Sequence, residues 1–223
     1  MRDFSLLEIL GPIMIGPSSS HTAGAARLGR IATTIAGEGF TSVSFLLHGS
    51  FAKTYNGHGT DKALLGGVMG FSPSDVRIRD AFKIADENNL HYEYLETDLG
   101  FVHPNTVRII FHYEDRPDYY VQGSSIGGGN ILITNINGTE IEFRGERPTV
   151  ILKYKDKKGI ISRITSLFAI AGFNIANMTV IRSGRMSTLL CEFDGEVDNS
   201  ILDDINRIDD FEFATFIKVG KDD

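Results

Sequence analysis

Apolar and polar positions follow two regimes along this chain. From Thr149 onward the apolar residues come in short, regular runs. Thr149 to Tyr154 reads as a strand, and Asp156-Lys157-Lys158-Gly159 as a turn. Ile160, Ile161, Ile164, Leu167, Phe168 and Ala171 then recur at helical spacing, with Gly172 placed to cap the end. Asn174 to Ile181 and Met186 to Phe193 read as strands joined by a hairpin turn at Ser183-Gly184-Arg185. Asp198 or Asn199 caps a second helix with Ile201, Leu202, Ile205 and Ile208 on its apolar face, and Phe211 to Val219 is a fourth strand. The order β-α-β-β-α-β predicts a ferredoxin-like unit.

The part before it is less regular and richer in glycine and histidine. Ser20 to Ala36 predicts a helix, with Ala25, Leu28, Ala32 and Ile35 on one face. Val43 to Leu47 is a short strand. Asn56-Gly57-His58-Gly59-Thr60 reads as a flexible loop, and Lys62 to Met69 as a helix despite Gly66 and Gly67. Ser72 or Ser74 opens another helix that reaches Asn88. His91 to Leu95, Thr106 to Tyr113, Tyr119 to Gln122 and Ile131 to Ile136 are strand-like. The character of the sequence changes at Arg144-Gly145-Glu146-Arg147-Pro148. The expected fold class is therefore α+β, with an α/β part over residues 1–145 and the ferredoxin-like part over 147–223.

Composition narrows the function classes. The chain has 223 residues, 42% hydrophobic and 23% charged, an ordinary globular balance. Its net charge of -7, without a Lys/Arg cluster, argues against a nucleic-acid partner. No run has the length and apolarity of a membrane helix, and Met1-Arg2-Asp3-Phe4-Ser5 lacks the order of a signal peptide, so a cytoplasmic location is expected. Cys191 is the single cysteine, which excludes an internal disulfide and any cluster held by this chain alone. It lies in the apolar run Leu189-Leu190-Cys191-Glu192-Phe193 and reads as a buried structural thiol; no metal site is expected in this chain.

Candidate chemistry concentrates in Gly16-Pro17-Ser18-Ser19-Ser20-His21-Thr22-Ala23-Gly24. Three serines at the start of an alanine-rich helix can cap it, and free N–H groups with the helix dipole favour an anion there. His21 is the one residue of the stretch able to exchange a proton near neutral pH. The plainer alternative is a helix cap beside a solvated histidine. His58, between two glycines, offers a second proton-exchanging group, and elimination of a hydroxyl needs both an acid and a base. An idle surface histidine is the alternative there. His103-Pro104-Asn105 reads as a turn, and His48, His91 and His112 as structural. The run Gly123 to Asn130 lacks dinucleotide-loop spacing and fits either a ligand loop or a tight turn between strands.

The stretches Gly16–Thr22, Asn56-Gly57-His58-Gly59-Thr60-Asp61-Lys62 and Ser125-Ile126-Gly127-Gly128-Gly129, in that order, resemble the beta portion of iron–sulfur-dependent L-serine dehydratases. From about Arg147 the chain resembles an ACT domain, and residues 75–145 resemble a small regulatory domain found in some phosphoglycerate dehydrogenases. The resemblance implies conversion of L-serine to pyruvate and ammonium without pyridoxal phosphate. It also implies a [4Fe–4S] cluster ligated by cysteines of a partner alpha subunit, in a heterodimer. By position it implies His21 and His58 as the acid/base pair, with His21 the base for the Cα proton. Ser18, Ser19, Ser20 and Thr22 would hold the substrate carboxylate, and Thr60 and Asp61 would shape the second stretch. Asp156, Gly159, Ile160, Asn174 and Ile175 match ACT effector positions, and self-association through that domain is expected. Two other readings stand beside this one: an amino-acid-sensing regulatory module without catalysis, and a hydro-lyase for another hydroxy or amino acid.

Overall fold

The computed structural model describes residues 13–198, 200–207 and 211–219, which form two compact units meeting at Arg144 and Gly145. The N-terminal unit opens with one π-helical turn, Ser19–Ala23, that runs directly into helix α1, Gly24–Ala36. Strand β1 is Ser42–Leu47, followed by α2, Gly49–His58, and α3, Thr60–Val68. A 3-10 turn at Val76–Asp80 leads into α4, Ala81–Glu87. Five strands complete the unit: β2 His91–Glu96, β3 Thr106–His112, β4 Tyr119–Gly127, β5 Asn130–Ile136 and β6 Thr139–Phe143.

These strands form one sheet in the order β2-β1-β3-β4-β5-β6, with β1 and β2 parallel and the other pairs antiparallel. Residues 91–143 thus share a single sheet with residues 42–47. One face is apolar by strand alternation: Val43, Phe45, Leu47, Val107, Ile109, Phe111 and Val121 are all buried. Helix α1 lies over β4 and β5 and presents Ala25, Leu28, Ala32 and Ile35, the residues its periodicity assigns to the core. On the other face, Ser44 donates to Glu93 at 2.6 Å and lies 2.7 Å from His112, which pairs with Asp118 at 2.7 Å. His112 therefore ties strands together, as a structural histidine does.

Helices α1 and α3 cross backbone to backbone. A Cβ on Gly29 would stand 2.5 Å from the Leu64 carbonyl oxygen, and one on Gly67 would stand 2.1 Å from that of Ala26. This contact explains why α3 tolerates Gly67: the helical propensity given up is offset by packing that no larger residue permits. Gly123 serves the same end on β4, where its missing side chain leaves room for Leu28.

Several local readings change. Asn56-Gly57-His58 is not loop but the last turn of α2, and Gly59, in the left-handed region at φ 72, joins α2 to α3. The expected helix from Ser72 or Ser74 to Asn88 is a 3-10 turn capped by Asp75, followed by a helix of only seven residues. Gly123 to Gly127 is strand, and Gly128-Gly129 is the hairpin turn into β5. Strand β6 is additional.

The C-terminal unit contains β7 Thr149–Lys155, α5 Ile160–Ile170, β8 Asn174–Ser183, β9 Met186–Asp194, α6 Ile201–Asn206 and β10 Phe213–Ile217. Its sheet order, β10-β7-β9-β8, is that of a ferredoxin-like fold. Val150, Leu152, Tyr154, Leu189, Cys191 and Phe193 pack from the sheet onto Ile160, Ile164, Phe168, Ile201 and Ile205 of the helices. Ile208 lies outside the described residues.

Candidate active site

The serine-rich stretch folds as its composition directs. Ser18 is extended (φ -140, ψ 125) and caps the π turn, its Oγ accepting from the His21 N–H at 3.2 Å. Its carbonyl accepts both the Thr22 N–H, at 2.9 Å, and the Thr22 hydroxyl. The Ser18 and Ser20 hydroxyls are 3.3 Å apart, and both reach His21 Nδ1, at 3.4 Å and 3.1 Å. Single π-helical turns recur at functional sites.

His58 comes to His21 from the other side. Its position at the end of α2 sets the two imidazoles 5.2 Å apart between ring centroids, tilted by 39°. His58 is exposed, its Nδ1 3.4 Å from the Thr54 carbonyl. Phe51, fully buried, meets the His21 ring edge-on at 5.4 Å. Burial first, and the neighbouring His58 second, hold His21 below the usual histidine value of 6.5, which favours a neutral ring able to accept a proton.

Behind Gly59, Thr60 is fully buried at the start of α3, and its hydroxyl has no partner. Asp61 is also buried; burial raises its carboxyl, and the Lys62 N–H donates to its Oδ1 at 2.8 Å. Tyr94 fixes this corner. Its ring stacks on Phe45 and Tyr55, and its hydroxyl donates to the Asp61 carbonyl at 2.7 Å.

Two residues that sequence reasoning assigned no role in the site, Ser50 and Asn105, belong to the same neighbourhood, together with Ser125 of the run read as either a ligand loop or a turn. Ser50 Oγ is 3.2 Å from His21 Nε2. Ser125, fully buried on β4, carries an unpartnered hydroxyl against Gly24, where a Cβ would come within 2.1 Å of it. Asn105 passes its carbonyl to the Ser125 N–H at 3.0 Å and keeps an unpartnered buried Oδ1. Buried polar atoms without partners are costly, so the Ser125 hydroxyl beside Gly24 fits a polar ligand there. Only the motif around Ser125 hinted at any of these; the Ser50 contact spans 29 residues of sequence and leaves no local signal.

The effector positions stand apart from one another within one C-terminal unit. Lys155 pairs with Met186 and Asn174 with Asp194, so Asp156, Gly159 and Ile160 lie at one end of the sheet and Asn174 and Ile175 at the other. Asp156 Oδ2 accepts from Arg182 Nε at 3.0 Å, and Asn174 Nδ2 donates to Asp194 at 3.1 Å. Ile160 is buried in the core.

Cys191 does not fit the role of a cluster ligand. Cys191 is buried on the central strand β9, and its thiol is pushed up to about 12, mainly by burial. Among the described residues, no three His, Cys, Asp or Glu side chains are grouped to hold a metal ion. No helix among them is long and apolar enough to cross a membrane.

Comparison with known proteins places the chain in a family. Residues 5–124 match the family model of the serine dehydratase beta chain, and residues 149–210 match that of the ACT domain. The chain is 44% identical to the L-serine dehydratase beta chain of Peptoniphilus asaccharolyticus, over 98% of this chain and all of that one. It is 39% identical to a probable L-serine dehydratase beta chain of Bacillus subtilis, over 93% of this chain and 95% of that one. A D-3-phosphoglycerate dehydrogenase of Archaeoglobus fulgidus is 24% identical over 87% of this chain and 37% of its own length. With matches of this extent across both units, the chain belongs to the serine dehydratase beta chain family and ends in an ACT domain.

Proposed function

We propose that this chain is the beta subunit of an L-serine dehydratase and supplies its acid and base, while a partner alpha subunit carries a [4Fe–4S] cluster. The observation that carries the reading is the pairing of His21 and His58 at 5.2 Å beside a serine-capped helix start. The substrate carboxylate binds the hydroxyls of Ser18, Ser19 and Ser20 at the positive end of the helix, while the Thr22 hydroxyl, which donates to the Ser18 carbonyl, braces the turn that presents them. His21, neutral because it is partly buried, removes the Cα proton of L-serine. His58, entering the step protonated, gives its own proton to the departing β-hydroxyl, so water leaves and aminoacrylate remains. Its imine tautomer hydrolyses to pyruvate and ammonium, consuming one water. The partner's cluster would supply Lewis acidity to the substrate. Thr60 and Asp61 shape the wall of the site from the start of α3.

The ACT domain supports an amino-acid effector role for Asp156, Gly159, Ile160, Asn174 and Ile175. Since these lie at opposite ends of one sheet, a two-fold pair of ACT domains would join the two sets.

Pyruvate formation from L-serine, measured without oxygen, tests the reading. The chain alone is expected to be inactive and its mixture with a cluster-loaded alpha subunit active. An inactive mixture with an intact cluster would leave the regulatory-module reading instead, and turnover of another hydroxy or amino acid in preference to L-serine would assign a different hydro-lyase.

A further inference from the structure

We infer that Phe101 is an anchor by which this chain docks to the cluster-bearing alpha subunit, filling an apolar pocket on that partner beside the site the partner completes. The inference rests on the proposed two-subunit reading and adds where the partner is gripped. The residues of the site gather at one end of the N-terminal sheet. Strands β1 and β2 run parallel and finish there, at Leu47 and Glu96; β3 begins there and β4 ends there, since Thr106 lies opposite Ser124. Helix α2 starts directly after β1 and carries Ser50 to within 3.2 Å of His21 Nε2. Residues 97–105 connect β2 to β3 across the same end and hold Phe101 fully exposed. The Cα atoms of Phe101 and Pro104 are at most about 11 Å apart. The Pro104 carbonyl in turn accepts the Ser50 N–H at 2.8 Å. The partner has to bring its cluster to a substrate held between His21 and His58. A standard interface of roughly 800 Å² per partner is roughly 30 Å across, so a surface laid over the two histidines takes in Phe101 as well.

Single exposed apolar side chains are common and carry no message where the backbone beneath them is loose. This backbone is fastened along its length. The Thr97 N–H donates to the Leu47 carbonyl at 2.8 Å, and the Leu99 N–H to His48 Nδ1 at 3.2 Å. The Gly100 N–H donates to Asp98 Oδ1 at 2.9 Å, and the Asn105 N–H to His103 Nδ1 at 3.1 Å. A backbone N–H only donates, so both ring nitrogens are acceptors here. A Cβ on Gly49 would lie 2.7 Å from the Pro104 oxygen, so the start of α2 is seated directly on the 103–105 turn. A loop held in this way does not fold down over the chain's own site, which leaves a partner as the occupant. An aromatic side chain presented on a fixed backbone loses little freedom on docking, and such residues carry a large share of binding energy.

Binding of the full-length chain to the cluster-loaded alpha subunit, followed by calorimetry without oxygen, tests the inference apart from turnover. Phe101→Ala is expected to raise Kd on the order of 10- to 100-fold, the usual cost of removing an aromatic anchor, with pyruvate formation recovered by excess alpha subunit. Its circular dichroism should match wild type, because the side chain is fully exposed. Phe101→Leu, which keeps an apolar side chain, is expected to retain most of the affinity. An unchanged Kd in Phe101→Ala would overturn the inference. So would loss of the chain's own self-association in sedimentation with affinity for the alpha subunit intact, which would assign the anchor to a second copy of this chain. Failure of the two-subunit reading is separate: wild type itself would then not bind the alpha subunit, and the inference would fall with it.

Discussion

The chemistry at residue scale turns on a histidine kept neutral. Replacing His21 by alanine is expected to cut turnover of the assembled enzyme roughly 10²- to 10⁴-fold, the usual share of a general base, with circular dichroism unchanged. The pH profile should bear the same mark. Because folding lowers the His21 pKa, the acid limb of kcat/KM should lie below the ordinary histidine value of 6.5, where pH falls through the lower folded value. Stability follows the same sign: the unfolded chain takes up the proton first, so the contribution is present above 6.5 and is lost as pH falls through the folded value. A urea titration at several pH values in wild type and His21→Gln would expose that difference. The serines and His21 were legible in the sequence because capping is local chemistry, settled within four residues. Ser50 and Asn105 were not, since only tertiary structure brings Ser50 to His21 and Asn105 to Ser125.

Two glycines govern the geometry between elements, for different reasons. Gly67→Ala forces a Cβ against the Ala26 carbonyl, and overpacking of this kind costs about 1–3 kcal/mol, to be read as a lower urea midpoint. Gly59→Ala meets only the Thr22 methyl, at an ordinary 3.8 Å, but keeps a left-handed backbone, at a cost of about 1–2 kcal/mol, and should shift the angle between α2 and α3 and with it His58. Its diagnostic is a larger loss of kcat than of stability. These elements also mark where pattern reading fails. Helix α2 buries only Phe51 and Ala52, so no apolar period announces it, and glycines on both sides of His58 read as loop. Strand β6 is five residues of alternating burial at the sheet edge, too short to stand out from the turn before it.

Taken whole, the molecule is two bodies with separate cores. The C-terminal core draws on residues 150–216 alone, and its β-α-β-β-α-β order was readable because each helix and strand there buries a regular face. A fragment spanning residues 145–223 is expected to fold by itself and give a dispersed NMR spectrum; a collapsed spectrum would show that its stability depends on the N-terminal unit. The N-terminal sheet was less readable, because its order joins β1 to β2 in parallel and to β3 in antiparallel, pairings that no local pattern specifies. The buried Cys191 has a practical outcome at this scale. A thiol so shielded and so weakly acidic is nearly inert to maleimides while the protein is folded. The natural sequence is thus already a silent background for site-directed labelling: Phe101→Cys, at a fully exposed loop position, would place one dye or spin probe on the chain with no native cysteine to remove first.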